Sequence, residues 1–542
     1  MTPRESWLSA GLVFVVALIV RSAFASSLQF PTPEDTTYYV GVARNVIEGR
    51  GLVSDAIWSF QTPPLVFPRP AFEVWLPLPS LLALPAMALL GPTFDAAKIP
   101  AVLVGSLVPV LAWRLAADLA EERGFPVGRA RTLALGTGLT AAVYLPLVLF
   151  GALPDSTMPF AALALAATLL MTRLLRRPPS DSLVRDGRLL GLGVVLGLAA
   201  LTRNEAALIA LTWVGLAWWY GARGRRFGLI AVPAAVALVI FVPWAVRDWI
   251  VFGNPLPGQA LANALSITGF DIFAWQDPPT VGRYLAIGPA RLLELRAEGI
   301  WHNLANVLLA PGFPVSLIGL AALPWTGSAR SVRPLVVFAI VAFLVTSLLF
   351  PVATTWGTFL HAAGAIHVLL IVSALLALDA LVERAGAWRG WTRPVAWLGP
   401  TLTIASAILF SFALAGYADQ SGQVARRYEL LGDRMAAIGR PLDATAGPVV
   451  TDFPIWLAEA LRVSTLALPD ESPAAVVDLA AAFRGTRYLV MTDDEHGRWP
   501  AVLASAEPGV ECFHELDLGP PPSDPADARS VAKTRVFEIG CP

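Results

Sequence analysis

Two carboxylates stand side by side in Pro33-Glu34-Asp35-Thr36-Thr37-Tyr38-Tyr39, just after the first long apolar run of the 542-residue sequence. A carboxylate held at a water–lipid boundary is suited to act as general base toward a hydroxyl. Two adjacent carboxylates repel, so one should keep its proton unless a cation lies between them. The plainer reading is that Asp35 or Thr36 caps the helical stretch from Tyr38 to Glu48, which Gly49-Arg50-Gly51 closes. Other residues able to do chemistry recur in separate segments. Arg69 and Glu73 lie in the proline-rich run from Pro63 to Trp75, where snorkelling and aromatic anchoring compete with a functional role. Asp155 opens an apolar run and could cap it. Arg203 and Glu205 sit in Leu201-Thr202-Arg203-Asn204-Glu205 between two short apolar runs, where an ion pair would join two helices. Arg247 follows Pro243-Trp244 and precedes Asp248. His361 and His367 close the set and read more simply as structural histidines. Taken together, the arginines suit a phosphate or pyrophosphate group, and the carboxylates suit proton abstraction.

The elements that must position these residues are membrane spans. Hydrophobic residues make up 56% of the chain and charged residues only 15%, against about one-quarter charged in soluble domains. Apolar segments long enough to cross a bilayer are expected at 7–27, 94–119, 132–150, 157–173, 189–202, 206–221, 227–246, 303–324, 334–351, 361–381 and 395–416. The first is too long for the apolar core of a cleaved signal and reads as an anchor. Arginine placement orients them. Arg4 precedes the first span, and Arg123, Arg129 and Arg131 follow the second. Arg173, Arg176, Arg177, Arg185 and Arg188 fill the loop after the fourth. Arg223, Arg225 and Arg226 follow the sixth, Arg330 and Arg333 the eighth, and Arg384, Arg389 and Arg393 the tenth. The short loops on the other side are nearly free of Lys and Arg, with Arg203 the exception. This is the positive-inside pattern, with the N-terminus cytoplasmic and, after eleven spans, the C-terminus extracytoplasmic. Residues 72–91 are apolar but carry Pro77, Pro79 and Pro85. A span there would invert every later loop, so an interfacial or re-entrant element is expected.

The expected architecture is an α-helical polytopic membrane domain over 1–416 and a small extracytoplasmic α/β domain over 417–542. The first outer loop, 28–93, carries interfacial helices, and the second large outer loop is 247–302. The tail alternates helical stretches (424–438, 473–484) with strand-like runs at 448–451 and 488–491. It holds nineteen acidic side chains against eleven basic ones. Its Cys512 and Cys541 could pair in an oxidising compartment, and two free thiols are the alternative. A net charge of −1 points to no nucleic-acid partner. There is no internal repeat.

Several stretches, in this order, resemble the GT-C superfamily of membrane glycosyltransferases. The likeness is nearest to family 39, with its protein O-mannosyltransferases and bacterial aminoarabinose-type transferases. They are Pro33-Glu34-Asp35 through Tyr38-Tyr39 to Gly51, then Pro68-Arg69-Pro70 with Trp75, and Ala96-Ala97-Lys98. Pro154-Asp155, the glycine-rich run from Gly191 to Leu201-Thr202-Arg203, and Pro243-Trp244 through Arg247 to Gly253-Asn254-Pro255 follow. The likeness covers roughly 1–260 and is topological beyond. The resemblance implies an inverting glycosyltransferase of the plasma membrane that uses a polyprenyl-phosphate-linked sugar and a protein, lipid or glycan acceptor. On this reading Asp35 is the favoured base with Glu34 close behind. Tyr38, Arg69, Asp155, Arg203, Glu205 and Arg247 are the candidates for binding substrate and phosphate. A divalent cation bridging the carboxylates and phosphate suits the chemistry, with no further ligand assigned. The chain departs from the family in the order of Glu34 and Asp35, in having Arg69 rather than Lys, and in lacking a match to the family's histidine metal ligands. A transporter or flippase for a lipid-linked sugar would share the arginines, but would usually show repeats and mid-membrane polar residues. A non-catalytic scaffold would leave the acidic pair unexplained.

Overall fold

The computed structural model describes residues 3–179, 182–390, 397–493 and 496–541. Arg393 and the start of the last expected span, at 395, lie outside these residues. Every expected span carries helix, and the chain is an integral membrane protein. Six helices among the described residues are long and apolar enough to cross a membrane: Glu5–Ser27, Phe94–Glu122, Thr157–Arg176, Arg226–Phe252, Gly364–Trp388 and Leu398–Ala437. Shorter apolar helices, Gly187–Ala200, Ala206–Tyr220 and Arg333–Leu349, lie between them in sequence. The proline-bearing segment at 72–91 forms only the helix Leu78–Leu90, 13 residues long. At 1.5 Å per residue that is about 20 Å, short of a bilayer core.

Two expected spans are broken, each for a covalent reason. The segment at 303–324 is not one rod. Gly288–Gly312 and Val315–Thr326 meet at 116°, because Pro311-Gly312-Phe313-Pro314 can neither continue the helix nor supply its amide hydrogens. The segment at 132–150 splits into Val127–Val143 and Leu145–Leu149. Pro146 lacks the N–H that would reach the Ala142 carbonyl four residues back. The fully buried Arg21 of the first span fills that role, donating to the Ala142 and Leu147 carbonyls at 3.0 and 2.8 Å. The glycine-rich run has a packing reason. A Cβ on Gly193 would fall 2.6 Å from the Val236 Cβ of the neighbouring Arg226–Phe252 helix, so only glycine permits this approach.

The helix expected to end at 416 continues without interruption from Leu398 to Ala437 and carries the chain into the tail. The tail sheet has six strands, and one of them comes from the loop 28–93 after the first span. Their order is Ala56–Ile57, Thr465–Ala467, Val449–Thr451, Tyr488–Met491, Arg535–Ile539 and Phe513–Glu515. The first four are parallel, and Arg535–Ile539 runs antiparallel to both its neighbours. Cys512 and Cys541 are joined in a disulfide.

Candidate active site

A helix over Glu34–Ile47 starts at Pro33, and its first turn carries Glu34 and Asp35. Four residues on, Tyr39 shares the face of Asp35, as i,i+4 spacing requires. That face borders a cavity of about 430 Å³. Glu34, Asp35, Tyr39, Arg203, Glu205 and His361 all line it. Its other walls are aromatic, from Trp58, Trp75, Phe273 and Trp356, or apolar, from Leu208, Val345 and Phe350. Leu208 and Val345 belong to the helices Ala206–Tyr220 and Arg333–Leu349, so the cavity runs from the loop segments around Glu34 and Trp58 in between apolar helices.

Asp35 is 24% exposed, and its Oδ2 lies 3.2 Å from His361 Nε2. His361 Nδ1 is 2.7 Å from the Thr157 hydroxyl, and the Thr157 amide donates to Asp155 Oδ1 at 2.7 Å. A ring carrying its proton on Nε2 satisfies this chain: it donates to Asp35 and accepts from Thr157. Burial pushes the Asp35 carboxyl up, but the His361 contact, the Arg203 charge and a Trp75 hydrogen bond outweigh it and hold the group below its ordinary value. Glu34 goes the other way. Burial first, then the charges of Asp35 and Asp452, push it up to about 8, against the opposing Ile455 and Trp456 amides. The adjacent carboxyls are therefore an ionised Asp35 and, at neutral pH, a protonated Glu34. Asp155 is pushed up to about 6, chiefly by burial.

Arg203 donates from Nε and Nη2 to both Glu205 oxygens at 3.0 Å, and from Nη1 to the Ser156 hydroxyl at 2.8 Å. It is the cavity's one lysine or arginine among the described residues.

The remaining sequence candidates fall elsewhere. Arg69 does not reach the cavity. It is fully buried and bonded to Glu73 at 2.9 Å and to the Thr62 and Pro64 carbonyls at 2.8 and 3.1 Å. With these donors committed inside the proline-rich loop, no face is left for a phosphate. Arg247 pairs with Asp248 at 2.8 Å and rests on Trp244, outside the lining. Tyr38 is a structural residue. Its hydroxyl accepts from the Phe72 amide at 2.6 Å and its ring packs on Phe72 and Trp75, a direction about 100° around the helix from that of Tyr39. Asp155 stands behind His361 rather than in the cavity wall. Sequence reading passed over Tyr39 and Trp75, although the Asp35–Tyr39 spacing was legible, and it treated His361 as structural.

Among the described residues no three His, Cys, Asp or Glu side chains gather closely enough to hold a metal ion. Only Glu34 and Asp35 present neighbouring carboxyls to the cavity, and one Asp35 oxygen faces His361. This set does not fit a divalent cation held by the protein's own ligands alone.

Neither a protein-family model nor a curated protein matches the sequence. Solved structures do. ArnT from Cupriavidus metallidurans bound to undecaprenyl phosphate aligns over 98% of both chains at 15% identity, with a TM-score of 0.57. The Archaeoglobus fulgidus oligosaccharyltransferase in complex with Zn and sulfate aligns at 15% identity over 93% of this chain and 71% of its own, TM-score 0.53. The same archaeal enzyme, AglB, with an inhibitory peptide and a dolichol-phosphate, aligns at 13% identity over 91% and 70%, TM-score 0.52. The likeness extends through the tail as well as the membrane region, and by it this chain is a polytopic membrane protein of the GT-C fold.

Proposed function

We propose that this chain is an inverting glycosyltransferase that moves a sugar from a polyprenyl-phosphate donor to an acceptor hydroxyl at the extracytoplasmic face of the membrane. The observation that carries the reading is Asp35: a carboxylate held ionised by His361 and Arg203, at a cavity that continues between apolar helices. The bound ligands of the two related structures, undecaprenyl phosphate and a dolichol-phosphate, support a lipid-phosphate donor.

In this mechanism the acceptor hydroxyl gives its proton to Asp35 as its oxygen forms a bond to the anomeric carbon. The bond from that carbon to the phosphate oxygen breaks with its electron pair, on the opposite face of the sugar, and inverts the centre. The departing polyprenyl phosphate takes up negative charge near Arg203, and a protonated Glu34 can donate a hydrogen bond to it. Glu205 and Ser156 hold the Arg203 guanidinium in place, so little reorganisation is needed as charge develops. His361 keeps Asp35 aimed at the acceptor and is itself fixed by Thr157.

The test is incubation of the purified full-length protein with radiolabelled polyprenyl-phosphate hexoses and pentoses and a cell-envelope fraction. Label should pass to an acceptor with inversion at the anomeric carbon. Failure of every donor to transfer or bind would remove the reading.

A further inference from the structure

Trp356 is a large apolar side chain that is 52% exposed and lines the cavity. It lies in the turn Ala353–Trp356, which leads through Gly357 into the short helix bearing His361. The chain is close there: a Cβ on Gly357 would stand 3.1 Å from His361 Nε2, the atom that faces Asp35. The indole therefore belongs to the segment that forms the wall beside the base.

Its position is built. Phe270 and Phe273 meet the indole edge-on, with ring centroids at 5.9 and 5.8 Å and interplanar angles of 79 and 83°. Both phenyl rings pack in turn against His496 of the tail, at 4.9 and 6.0 Å. Gly269 leaves room for the ring. A Cβ there would fall 2.0 Å from the indole Nε1, so glycine is required for Trp356 to sit where it does. Fixed aromatic edges with an open indole face form a flat apolar plate, rigid at low entropic cost. A sugar ring presents the complementary surface, one face of C–H groups with hydroxyls at its rim, and between the acceptor at Asp35 and the phosphate the sugar is the group that must fill the cavity.

We propose that Trp356 is the sugar-recognising residue of this site: its indole stacks on the C–H face of the donor's transferred ring and contributes to which sugar is accepted. The inference rests on the glycosyltransferase reading and adds to it a specificity determinant contributed by the Ala353–Trp356 turn and held in place by the tail.

The experiment measures binding to the full-length protein in nanodiscs of four probes: undecaprenyl phosphate and its glucose, mannose and arabinose phosphodiesters. At least one sugar-bearing lipid should bind wild type more tightly than undecaprenyl phosphate itself. In Trp356→Ala that increment should fall by a factor of roughly 2–10, the range of an aromatic contact, with undecaprenyl phosphate bound as before. Gly269→Ala, which drives a methyl into the indole, should lose the same increment. Trp356→Phe, which keeps a ring, should retain most of it. An increment unchanged in both Trp356→Ala and Gly269→Ala would overturn the proposal, as would a wild type that gains nothing from any of the three sugars. A wild type that binds none of the four lipids would instead overturn the donor class on which the proposal depends.

Discussion

Replacing His361 by Ala separates holding the base from being the base. In the structure Asp35 is pushed up by burial and pulled down by three groups, of which His361 at 3.2 Å comes first, ahead of Arg203 and Trp75. Without the imidazole, burial is opposed by two groups only, so the carboxyl rises and a larger part of it is protonated at mildly acidic pH. A hydrogen bond to a charged group is worth about 1.5–3 kcal/mol. At 1.36 kcal/mol per factor of ten, the loss on the acid side is roughly 10- to 150-fold in kcat/KM. At alkaline pH Asp35 is ionised in both proteins, and only the smaller cost of a less well aimed carboxylate remains. The assay is kcat/KM against pH with a labelled polyprenyl-phosphate sugar. The acid limb should move to higher pH in His361→Ala and partly return in His361→Gln, whose amide N–H can reach the same oxygen. An acid limb that stays in place, with a loss equal at every pH, would refute the reasoning and put His361 in contact with substrate instead.

Four further outcomes are expected. Asp35→Asn should lower turnover by on the order of a hundredfold to ten-thousandfold while undecaprenyl phosphate still binds. Glu34→Gln, neutral like the protonated acid it replaces, should keep most of its rate at pH 7, and it should remove any decline of activity through about pH 8, where Glu34 would ionise; equal losses in the two variants would dissolve the division between base and donor. Glu73→Gln leaves the Arg69 guanidinium buried without its carboxylate, a change that typically costs 3–5 kcal/mol. It should therefore lower the unfolding temperature in detergent without altering KM, whereas a raised KM in folded protein would return Arg69 to substrate binding. An alkaline phosphatase fusion at the C-terminus should be active and one within Arg223–Arg226 silent, and the reverse would invert the proposed orientation.

The helical membrane architecture was legible because it depends on long-range averages: run length and proline position. The breaks at Pro146 and at Pro311-Gly312-Phe313-Pro314 were written in the sequence too, as lost amide hydrogens, although apolar run length alone hid them. The site was less legible, and the failures have one cause. Arg69 and Tyr38 are chemically apt residues in an apt loop, yet what decides a role is the direction of a side chain. Tyr38 and Tyr39 stand three and four residues after Asp35, and helix spacing admits either as its neighbour. For Arg69 the i,i+4 spacing to Glu73 already offered a local partner, the one the structure joins to it.

What no local reading could supply is the role of the tail. A two-residue strand at Ala56–Ile57 has no periodicity to detect, yet it pairs in register with Thr465 and Leu466 and binds the first outer loop into the tail sheet. The tail helix Pro454–Leu461 then packs on the helix of the acidic pair. Glu459 forms a buried ion pair with Arg44, and the Ile455 amide donates to Glu34 at 3.2 Å. The two acids are thus held from opposite sides. Asp35 is kept ionised mainly by His361, at the head of a membrane helix, and Glu34 is kept protonated by burial beneath the tail with Asp452 nearby. Adjacent residues on one helix would otherwise have similar proton affinities; His361, Arg203 and Trp75 lower that of Asp35, while burial and the charges of Asp35 and the tail's Asp452 raise that of Glu34. In the proposed reaction this pair therefore draws on both halves of the chain.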